Sequence, residues 1–489
     1  MMDFPYETLT AAELGQGVND GTYDPEEVVT YFMERIERLN PCLNAFTYTK
    51  FDYAREQAKI LKDRIKNGEK CGPFAGVPFG LKDFLPSKVG WTASHGGVPS
   101  RITVDDVDSE FCKAMEKAGG IAIGKTNAPA YGFSGCCDNT LYGPTKNPFD
   151  LTRNSGGSSG GSASAVASGM LLISEGGDAG GSIRIPCCWN NLFGFKASAG
   201  AIPSVIRPDS YAATHPYCCN GGLTKSVTDT AILLNYMVQY DRRDPTSVPM
   251  VHEDFLVEMK RSIKGLRIAY TPDFGAFPVD PEIAAKVKET ALILEKCGAL
   301  IEEVPFHLKR APIEYMDIWR YSLSFDSAIE FEALKREGFD FLKDHADEVG
   351  DGFVESVNDV YSLGIHDVYD FNLARTEILD SFEDVFDHYD AIVSPVSLCL
   401  PVKNSSKRGK TLGPTNINGV PVDPTCGFAT TYLVNFIGYP AASVPAGLSR
   451  GGLPIGMHII APKYKDGLVL AIADKIEQLL PWRSLYPKL

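Results

Sequence analysis

Between residues 71 and 224, glycine and serine crowd together between short apolar runs, and this pattern constrains the fold more than any other feature of the chain. The apolar runs at residues 77–81, 121–123 and 171–173 have the length of buried strands. The glycines and serines that separate them are typical of tight turns. Residues 162–169 carry very small side chains, which predicts a helix slim enough to pack against backbone.

Amphipathic helices are predicted before this region. Thr10 and Glu13 have the spacing of a capping box. Asp24 followed by Pro25 is typical of an N-cap with proline at the first helical position, and a further helix is predicted over residues 51–66. These helices are expected to support the core and to carry no chemistry.

Strands and helices alternate after this region. Residues 265–270 and 299–304 are predicted strands around a helix at 281–297, and residues 311–389 are predicted to be helical and acidic. A long Pro/Gly/Asn-rich loop covers residues 401–427. The remaining predicted elements are strands at 391–393, 442–445 and 454–460 and a helix at 466–480. We expect a single domain over residues 1–489, with an N-terminal helical support at 1–70, a core at 71–225 and a helical cap that shapes the substrate pocket at about 311–389.

The charge and hydropathy of the chain exclude several classes of partner. The formal net charge is −15, and a surface this acidic repels nucleic-acid phosphates and anionic lipid. No run reaches the roughly 18 apolar residues that a membrane helix needs, and the first residues lack a signal-peptide pattern. The prediction is a cytoplasmic protein with no nucleic-acid or membrane partner, for which a homodimer stays open.

The 12 cysteines include adjacent pairs at 136/137, 187/188 and 218/219, but no CxxC or HExxH motif occurs. Neighbouring cysteines rarely close a strain-free disulfide. We therefore expect reduced thiols packed as small hydrophobes, and neither a metal site nor a cofactor.

Residues 119–126 satisfy the Walker A expression letter for letter. A phosphate loop needs a strand before it and a helix after it. Here residues 111–118 look helical, the supposed loop contains an apolar strand, and Pro129 follows at once. The context therefore disfavours a nucleotide-binding protein.

Residues 156–160 fit the G-x-S-x-G nucleophile elbow, with Ser158 as the nucleophile of an α/β-hydrolase-type serine esterase. An elbow needs a preceding strand, whereas residues 147–154 carry proline, aspartate and asparagine. It also needs a histidine partner, and none of the downstream histidines stands in a marked motif: His215, His252, His307, His345, His366, His388 and His458. The esterase stays open as an alternative.

A third constellation joins two glycine-rich serine turns to a lysine. Ser158 lies in GGSSGG, and Ser182 lies in the GGSIRIP run that ends at Pro186. Strand alternation places Lys82 on the face shared with Gly80, and we expect Gly80 to leave space for the lysine stem.

These motifs over residues 70–225 resemble the amidase signature family, the Ser-Ser-Lys hydrolases of carboxylic amides, and residues 435–457 resemble its C-terminal signature more loosely. The resemblance implies an α/β fold with a single large mixed sheet of about eleven strands, covered by helices on both sides. It further implies Ser182 as nucleophile, Ser158 as the bridging serine entered through a cis peptide, and Lys82 as base. Departures from the family pattern at Ser155, Gly177 and Ala179 remove no reacting group.

The chemistry gives each of these residues a physical requirement. A lysine acts as base only when neutral, so the pKa of Lys82 has to fall from about 10.4 to around 7, a shift that burial can supply. Alternation turns Asp83 away from it. The oxyanion of amide hydrolysis needs hydrogen-bond donors, for which we expect the consecutive backbone N–H groups of Ala179, Gly180, Gly181 and Ser182.

Arg184 is expected to pair with Asp178 and brace this turn. By similarity, Tyr131, Gly132 and Phe133 lie beside the acyl site. The expected protein is an amidase acting on a small-molecule amide, with esters and linear or cyclic aminoalkanoate amides as further substrates. An amidotransferase A-type subunit that releases ammonia from glutamine is a further alternative.

Overall fold

The computed structural model describes residues 5–207, 209–212, 214 and 216–489, and its strands are organised around one mixed sheet. The strands are β1 Phe46–Thr49, β2 Pro78–Lys82, β3 Thr92–Ala93, β4 Thr103–Val104, β5 Ile121–Thr126, β6 Lys146–Asn147, β7 Asp150–Asn154, β8 Ile173–Asp178, β9 Phe193–Lys196, β10 Cys219–Thr224, β11 Arg267–Tyr270, β12 Leu300–Glu303, β13 Ala391–Pro395, β14 Asn416–Ile417, β15 Val420–Pro421, β16 Ala441–Leu448 and β17 Pro454–Ile460. The helices are α1 Ala11–Asn19, α2 Pro25–Leu43, α3 Phe51–Lys66, α4 Glu110–Lys117, α5 Gly160–Ala167, α6 Arg184–Trp189, α7 Val227–Met237, α8 Phe255–Glu258, α9 Pro281–Ile293, α10 Pro312–Arg336, α11 Phe341–Asp344, α12 Asp351–Val360, α13 Ile365–Phe386, α14 Tyr432–Ile437 and α15 Asp466–Leu479.

The central sheet has 11 strands in the order β1-β5-β2-β8-β10-β9-β16-β17-β13-β11-β12. β2 runs parallel to β5 and β8, and β11 runs parallel to β12 and β13. Antiparallel pairs join β8 to β10, β9 to β16 and β16 to β17. The sheet is therefore mixed and flanked by helices, which confirms the predicted α/β class and the strand number implied by the family resemblance.

The helix signals before the core are confirmed. The Thr10 hydroxyl accepts a hydrogen bond from the N–H of Glu13, and the Glu13 carboxylate accepts one from the N–H of Thr10, which completes the capping box of α1. Asp24 caps α2, whose first residue is Pro25.

The slim helix α5 is also confirmed, because every one of its residues is buried. Gly161 lies so close to the neighbouring backbone that a Cβ there would come within 2.3 Å of the Asn127 nitrogen. Only glycine fits at this contact, so the small side chains let α5 lie directly against the strands that carry the site.

Two local expectations are corrected. The strand predicted from the apolar run at 171–173 begins only at Ile173 and continues to Asp178, so Gly177 lies within β8 and the turn starts after it. A Cβ at Gly80 would first meet Leu171, Ser174 and Thr126, so its small size makes room for these residues, whereas we expected it to make room for the stem of Lys82.

Helices α10 to α13 occupy the region predicted as a helical cap. Phe331, Phe341 and Phe353 from this region pack in one buried cluster with Tyr131 and Phe133 of the core. The cap thereby contacts the segment predicted to line the acyl site. The division of the chain into support, core and cap stays a prediction.

The prediction of a compartment depends on the cysteines and on the length of the apolar segments, and the structure describes both. All 12 cysteines lie in the described part of the chain, each is a free thiol, and most are buried. Within the described residues, every helix is too short or too polar to cross a bilayer.

Candidate active site

Lys82 ends strand β2 and points its amine at the first serine turn. Its side chain is 5% exposed, and Nζ donates a hydrogen bond to Ser158 Oγ at 2.7 Å. Burial lowers the pKa of the Lys82 amine to about 8, although nearby acidic groups oppose the shift. A large fraction of the amine is therefore neutral at mildly alkaline pH.

The carboxylate next to Lys82 in sequence is directed elsewhere, as alternation predicts. Asp83 accepts hydrogen bonds from the N–H and the hydroxyl of Ser94, at 2.7 and 2.6 Å, and from the Thr47 hydroxyl at 2.8 Å. Glu175 accepts the backbone N–H of Lys82 at 3.0 Å, and burial raises the pKa of its carboxyl group. Glu175 thus fixes the lysine backbone and leaves Nζ to Ser158.

The two serine turns are joined through backbone. The Gly157–Ser158 peptide is cis, as the family resemblance implies. The N–H of Ser159 donates to the carbonyl of Ser182 at 3.2 Å. Ser158 is 2% exposed, whereas Ser182 is half-buried and more accessible. One serine is therefore buried beside the lysine, and the other is the more accessible of the two.

Asp178 and Arg184 brace the second turn, as predicted. The guanidinium makes two hydrogen bonds to the Asp178 carboxylate, at 2.8 and 2.9 Å, and both side chains are fully buried. Burial raises the pKa of the Asp178 carboxyl, but the charge of Arg184 outweighs it and holds this pKa below its usual range. Arg184 also donates to Asn435 Oδ1 and to the carbonyl of Thr431. This pair is structural and has no hydrogen-bond capacity left for a substrate.

The four predicted oxyanion donors fall into two groups. The N–H of Gly181 donates to Asp178 Oδ1 at 2.7 Å and is therefore occupied. In the described part of the chain, the N–H groups of Ala179, Gly180 and Ser182 have no hydrogen-bond acceptor. The turn thus leaves three amides available for a bound oxygen, whereas the fourth, that of Gly181, is directed at Asp178.

Gly132 lies directly beside Ser158. A Cβ at Gly132 would lie 3.3 Å from Ser158 Oγ and 3.4 Å from the ring of Phe84. Its neighbours Tyr131 and Phe133 are each 6% exposed and pack into the aromatic cluster of the cap. The residues that surround Gly132 beside the serine are therefore aromatic and mostly buried.

The Walker A match does not form a phosphate loop. Residues 119–126 fold as a turn followed by strand β5, as the sequence context predicts. Lys125 is fully buried, and its Nζ forms an ion pair with Asp105 Oδ2 at 2.5 Å. The amine that a nucleotide phosphate would need is therefore neutralised inside the protein.

The elbow interpretation lacks its histidine in the described residues. Ser158 Oγ bonds to Lys82, and the strand β7 that precedes the loop pairs with β6 in a two-stranded sheet outside the central sheet. His458 is buried, and its Nε2 lies 2.9 Å from Nη1 of Arg184. Burial and the neighbouring Arg184 charge keep the pKa of His458 well below its usual value. His215 lies outside the described residues.

Sequence reasoning missed several residues that hold this site. Glu175 fixes the lysine backbone, Phe84 lies beside Gly132, and the hydroxyl of Thr431 donates to the carbonyl of Gly180 at 2.6 Å. Trp319 donates its indole N–H to the carbonyl of Ala179 at 3.0 Å. None stands in a recognisable motif, and their contacts cross long stretches of sequence, so no local signal could have indicated them.

Comparison with known proteins agrees with this geometry. The family model described as Amidase matches residues 27–470. An acylamidase of Rhodococcus erythropolis is 31% identical, covering 98% of this chain and 97% of that protein. A bacterial aryl acylamidase described as belonging to the amidase signature enzymes superposes with a TM-score of 0.95 and 37% identity, covering 99% of this chain and 98% of that one. The structure of 6-aminohexanoate cyclic dimer hydrolase matches with a TM-score of 0.85 and 25% identity, covering 98% of both chains.

Proposed function

Since the chain belongs to the amidase signature family and hydrolyses carboxylic amides, we propose that Ser182 is its nucleophile, Ser158 its proton relay and Lys82 its base. The observation that carries this proposal is the 2.7 Å hydrogen bond between a buried lysine amine and Ser158 Oγ. A serine hydroxyl both donates and accepts, so Ser158 can pass a proton in either direction.

The reaction begins when neutral Lys82 accepts the proton of Ser158 and Ser158 accepts that of Ser182. Ser182 Oγ then attacks the amide carbonyl carbon, and the negative charge that develops on the carbonyl oxygen is stabilised by the free N–H groups of the turn. Ser158 next protonates the leaving nitrogen and is reprotonated by Lys82, so the C–N bond breaks. Water, activated through the same relay, releases the acid from the acyl-Ser182 intermediate.

We further propose an N-acyl amide with an aromatic or other apolar group as the substrate. The aromatic side chains around Gly132 favour such a group, because they bury apolar area and stack with rings. The likeness to an aryl acylamidase and an acylamidase supports the same class. The helical cap, through the cluster that contains Phe353, is proposed to shape this pocket.

The location proposed for this activity is the cytoplasm. Twelve free thiols, most of them buried, suit a compartment that keeps cysteines reduced.

The first test is covalent labelling with a fluorophosphonate, followed by peptide mapping. The expected adduct is on Ser182, and Ser182→Ala should lose both label and turnover. Ser159→Ala is the matched control, since the Ser159 hydroxyl has no hydrogen-bond partner within the described chain. An adduct on Ser158, with turnover retained in Ser182→Ala, would reject the proposed nucleophile.

The second test is a substrate panel of anilides, alkyl amides, aryl esters, a cyclic aminohexanoate dimer and glutamine. Anilides and aryl esters are expected to react fastest, because they present an aromatic group and, for esters, a leaving group that needs less protonation. Preference for glutamine would favour an amidotransferase subunit instead, and preference for the cyclic dimer would reject the aryl class.

A further inference from the structure

The proposed oxyanion turn is fixed from outside by two side chains that no motif indicates. Trp319, on helix α10 of the cap, is 3% exposed and donates its indole N–H to the carbonyl of Ala179 at 3.0 Å. The Thr431 hydroxyl donates to the next carbonyl, that of Gly180, at 2.6 Å. Successive peptide planes of the turn are therefore each fixed by one side-chain donor.

A planar trans peptide transmits this constraint to its N–H. The carbonyl and the following N–H of a trans peptide point in opposite directions. With its carbonyl held by Thr431, the Gly180–Gly181 peptide directs the Gly181 N–H to Asp178, where it is found. By the same geometry, the bond from Trp319 to the Ala179 carbonyl directs the Gly180 N–H away from the indole, and that N–H has no acceptor in the described chain.

The indole ring is also tightly packed against the turn. A Cβ at Gly180 would lie 2.5 Å from the Trp319 ring, so glycine is the only residue that fits between them. On its other sides the ring lies 6.2 Å from Phe133, nearly parallel to it, and 6.3 Å from Tyr432. The position of the ring is thus set by Phe133, Tyr432 and the turn together.

We propose that Trp319 is a positioning residue that aims the Gly180 N–H at the substrate oxyanion and thereby couples the helical cap to the catalytic turn. The inference rests on the proposed function, in which Ser182 is the nucleophile. Trp319 acts through the backbone, so its contribution should appear in the transition state more than in substrate binding.

The test compares Trp319→Phe with Trp482→Phe. Both changes remove an indole N–H that donates to a backbone carbonyl, but Trp482 donates to Lys225, at 2.9 Å, and is not part of the turn. Trp319→Phe is expected to lower kcat about tenfold or more, less than the 10²–10³-fold that outright loss of an oxyanion donor produces. KM should change little, and the pH at half-maximal rate should stay near the Lys82 pKa of about 8.

A second variant keeps the test informative if the phenylalanine variant folds poorly. Replacement of residue 319 by benzothienylalanine keeps the bicyclic ring and removes only the N–H, so a similar loss of kcat is expected. The inference is overturned if the folded variants keep wild-type kcat, if they change KM alone, or if Trp482→Phe loses as much kcat. Failure of the proposed function would look different, because fluorophosphonate would then leave Ser182 unlabelled in the wild-type enzyme.

Discussion

Two buried lysines on neighbouring parallel strands have opposite surroundings. Lys82 on β2 and Lys125 on β5 lie one register position apart in a parallel pair, and they are 5% and 0% exposed. Lys82 Nζ meets the hydroxyl of Ser158 at 2.7 Å, whereas Lys125 Nζ meets the carboxylate of Asp105 at 2.5 Å. Both lysines are buried, so burial alone does not decide their roles. The group that contacts Nζ determines whether a buried lysine can act as a base or serves as a structural cation.

The physical reason is the charge of the partner. A carboxylate at hydrogen-bond distance, such as that of Asp105, stabilises an ammonium group and offsets its desolvation. A hydroxyl carries no charge, so burial dominates and the pKa of Lys82 falls to about 8. The comparison predicts that the same substitution at the two lysines removes activity in one case and stability in the other.

The largest effect is expected for Lys82→Met. Methionine fills nearly the same space, so at neutral pH the free energy of unfolding should fall by no more than about 1 kcal/mol, the cost of the lost hydrogen bond to Ser158. The relay loses its base, and kcat/KM should fall by about 10³- to 10⁴-fold. Steady-state kinetics and urea unfolding on the same sample measure the two quantities, and a variant that stays active would remove Lys82 from the mechanism.

Lys125→Met should show the reverse pattern. Its removal leaves Asp105 buried without its cation, and breaking a buried pair costs about 3–5 kcal/mol of the free energy of unfolding. The folded fraction should keep the wild-type kcat, because Lys125 does not reach either serine turn. The double variant Lys125→Met with Asp105→Leu is the control, and it should recover stability. If it remains as unstable as the single variant, charge is not the cause.

Local sequence rules predicted one member of this pair better than the other. Alternation was enough to place Lys82 on the face away from Asp83, and the family resemblance implied its partnership with Ser158. The Walker A context disfavoured a phosphate loop around Lys125, but its partner Asp105 comes from a loop that only the tertiary structure brings to β5. The sequence carries no signal for such a contact.

The same limit explains the rest of the fold and the site. The helix caps, the glycine-rich turns and the family motifs depend on neighbours in sequence, and the sheet implied by the resemblance is confirmed with 11 strands. The indole bond from Trp319 to Ala179 and the occupation of the Gly181 N–H by Asp178 depend on packing between distant segments. Periodicity and motif spacing do not encode such contacts.

A smaller effect is expected from pH. Lys82 is active when neutral, and its pKa is lowered to about 8, so kcat/KM should rise with pH through this value and level off above it. Two pH units below the midpoint, the rate should be about 100-fold lower, because the neutral fraction falls tenfold per unit. A pH series from 6 to 10 on a neutral amide substrate measures the curve, with circular dichroism as the control for folding. A flat profile would contradict a lysine base.

The smallest effect on activity is expected for substitution of Lys196. This residue tests whether a lowered lysine pKa is enough for catalysis. Lys196 on β9 is fully buried, and its pKa is lowered to about 8 by burial, as for Lys82. Its Nζ donates to the carbonyls of Ala197 and Tyr439, which cannot relay a proton.

Lys196→Met should therefore keep kcat and the pH–rate curve. Between about pH 8 and 10.4, such a lysine is protonated in the unfolded protein and neutral in the native protein. Each of these lysines therefore makes the free energy of unfolding rise with pH, by about 1.4 kcal/mol per pH unit. Urea unfolding across this pH range should show that Lys196→Met and Lys82→Met reduce the rise of the free energy of unfolding with pH by the same amount. Only Lys82→Met should lose turnover. Loss of turnover in Lys196→Met would mean that a buried neutral amine contributes to catalysis without contacting a serine. The contact with Ser158 would then not distinguish the catalytic lysine from the other buried lysines.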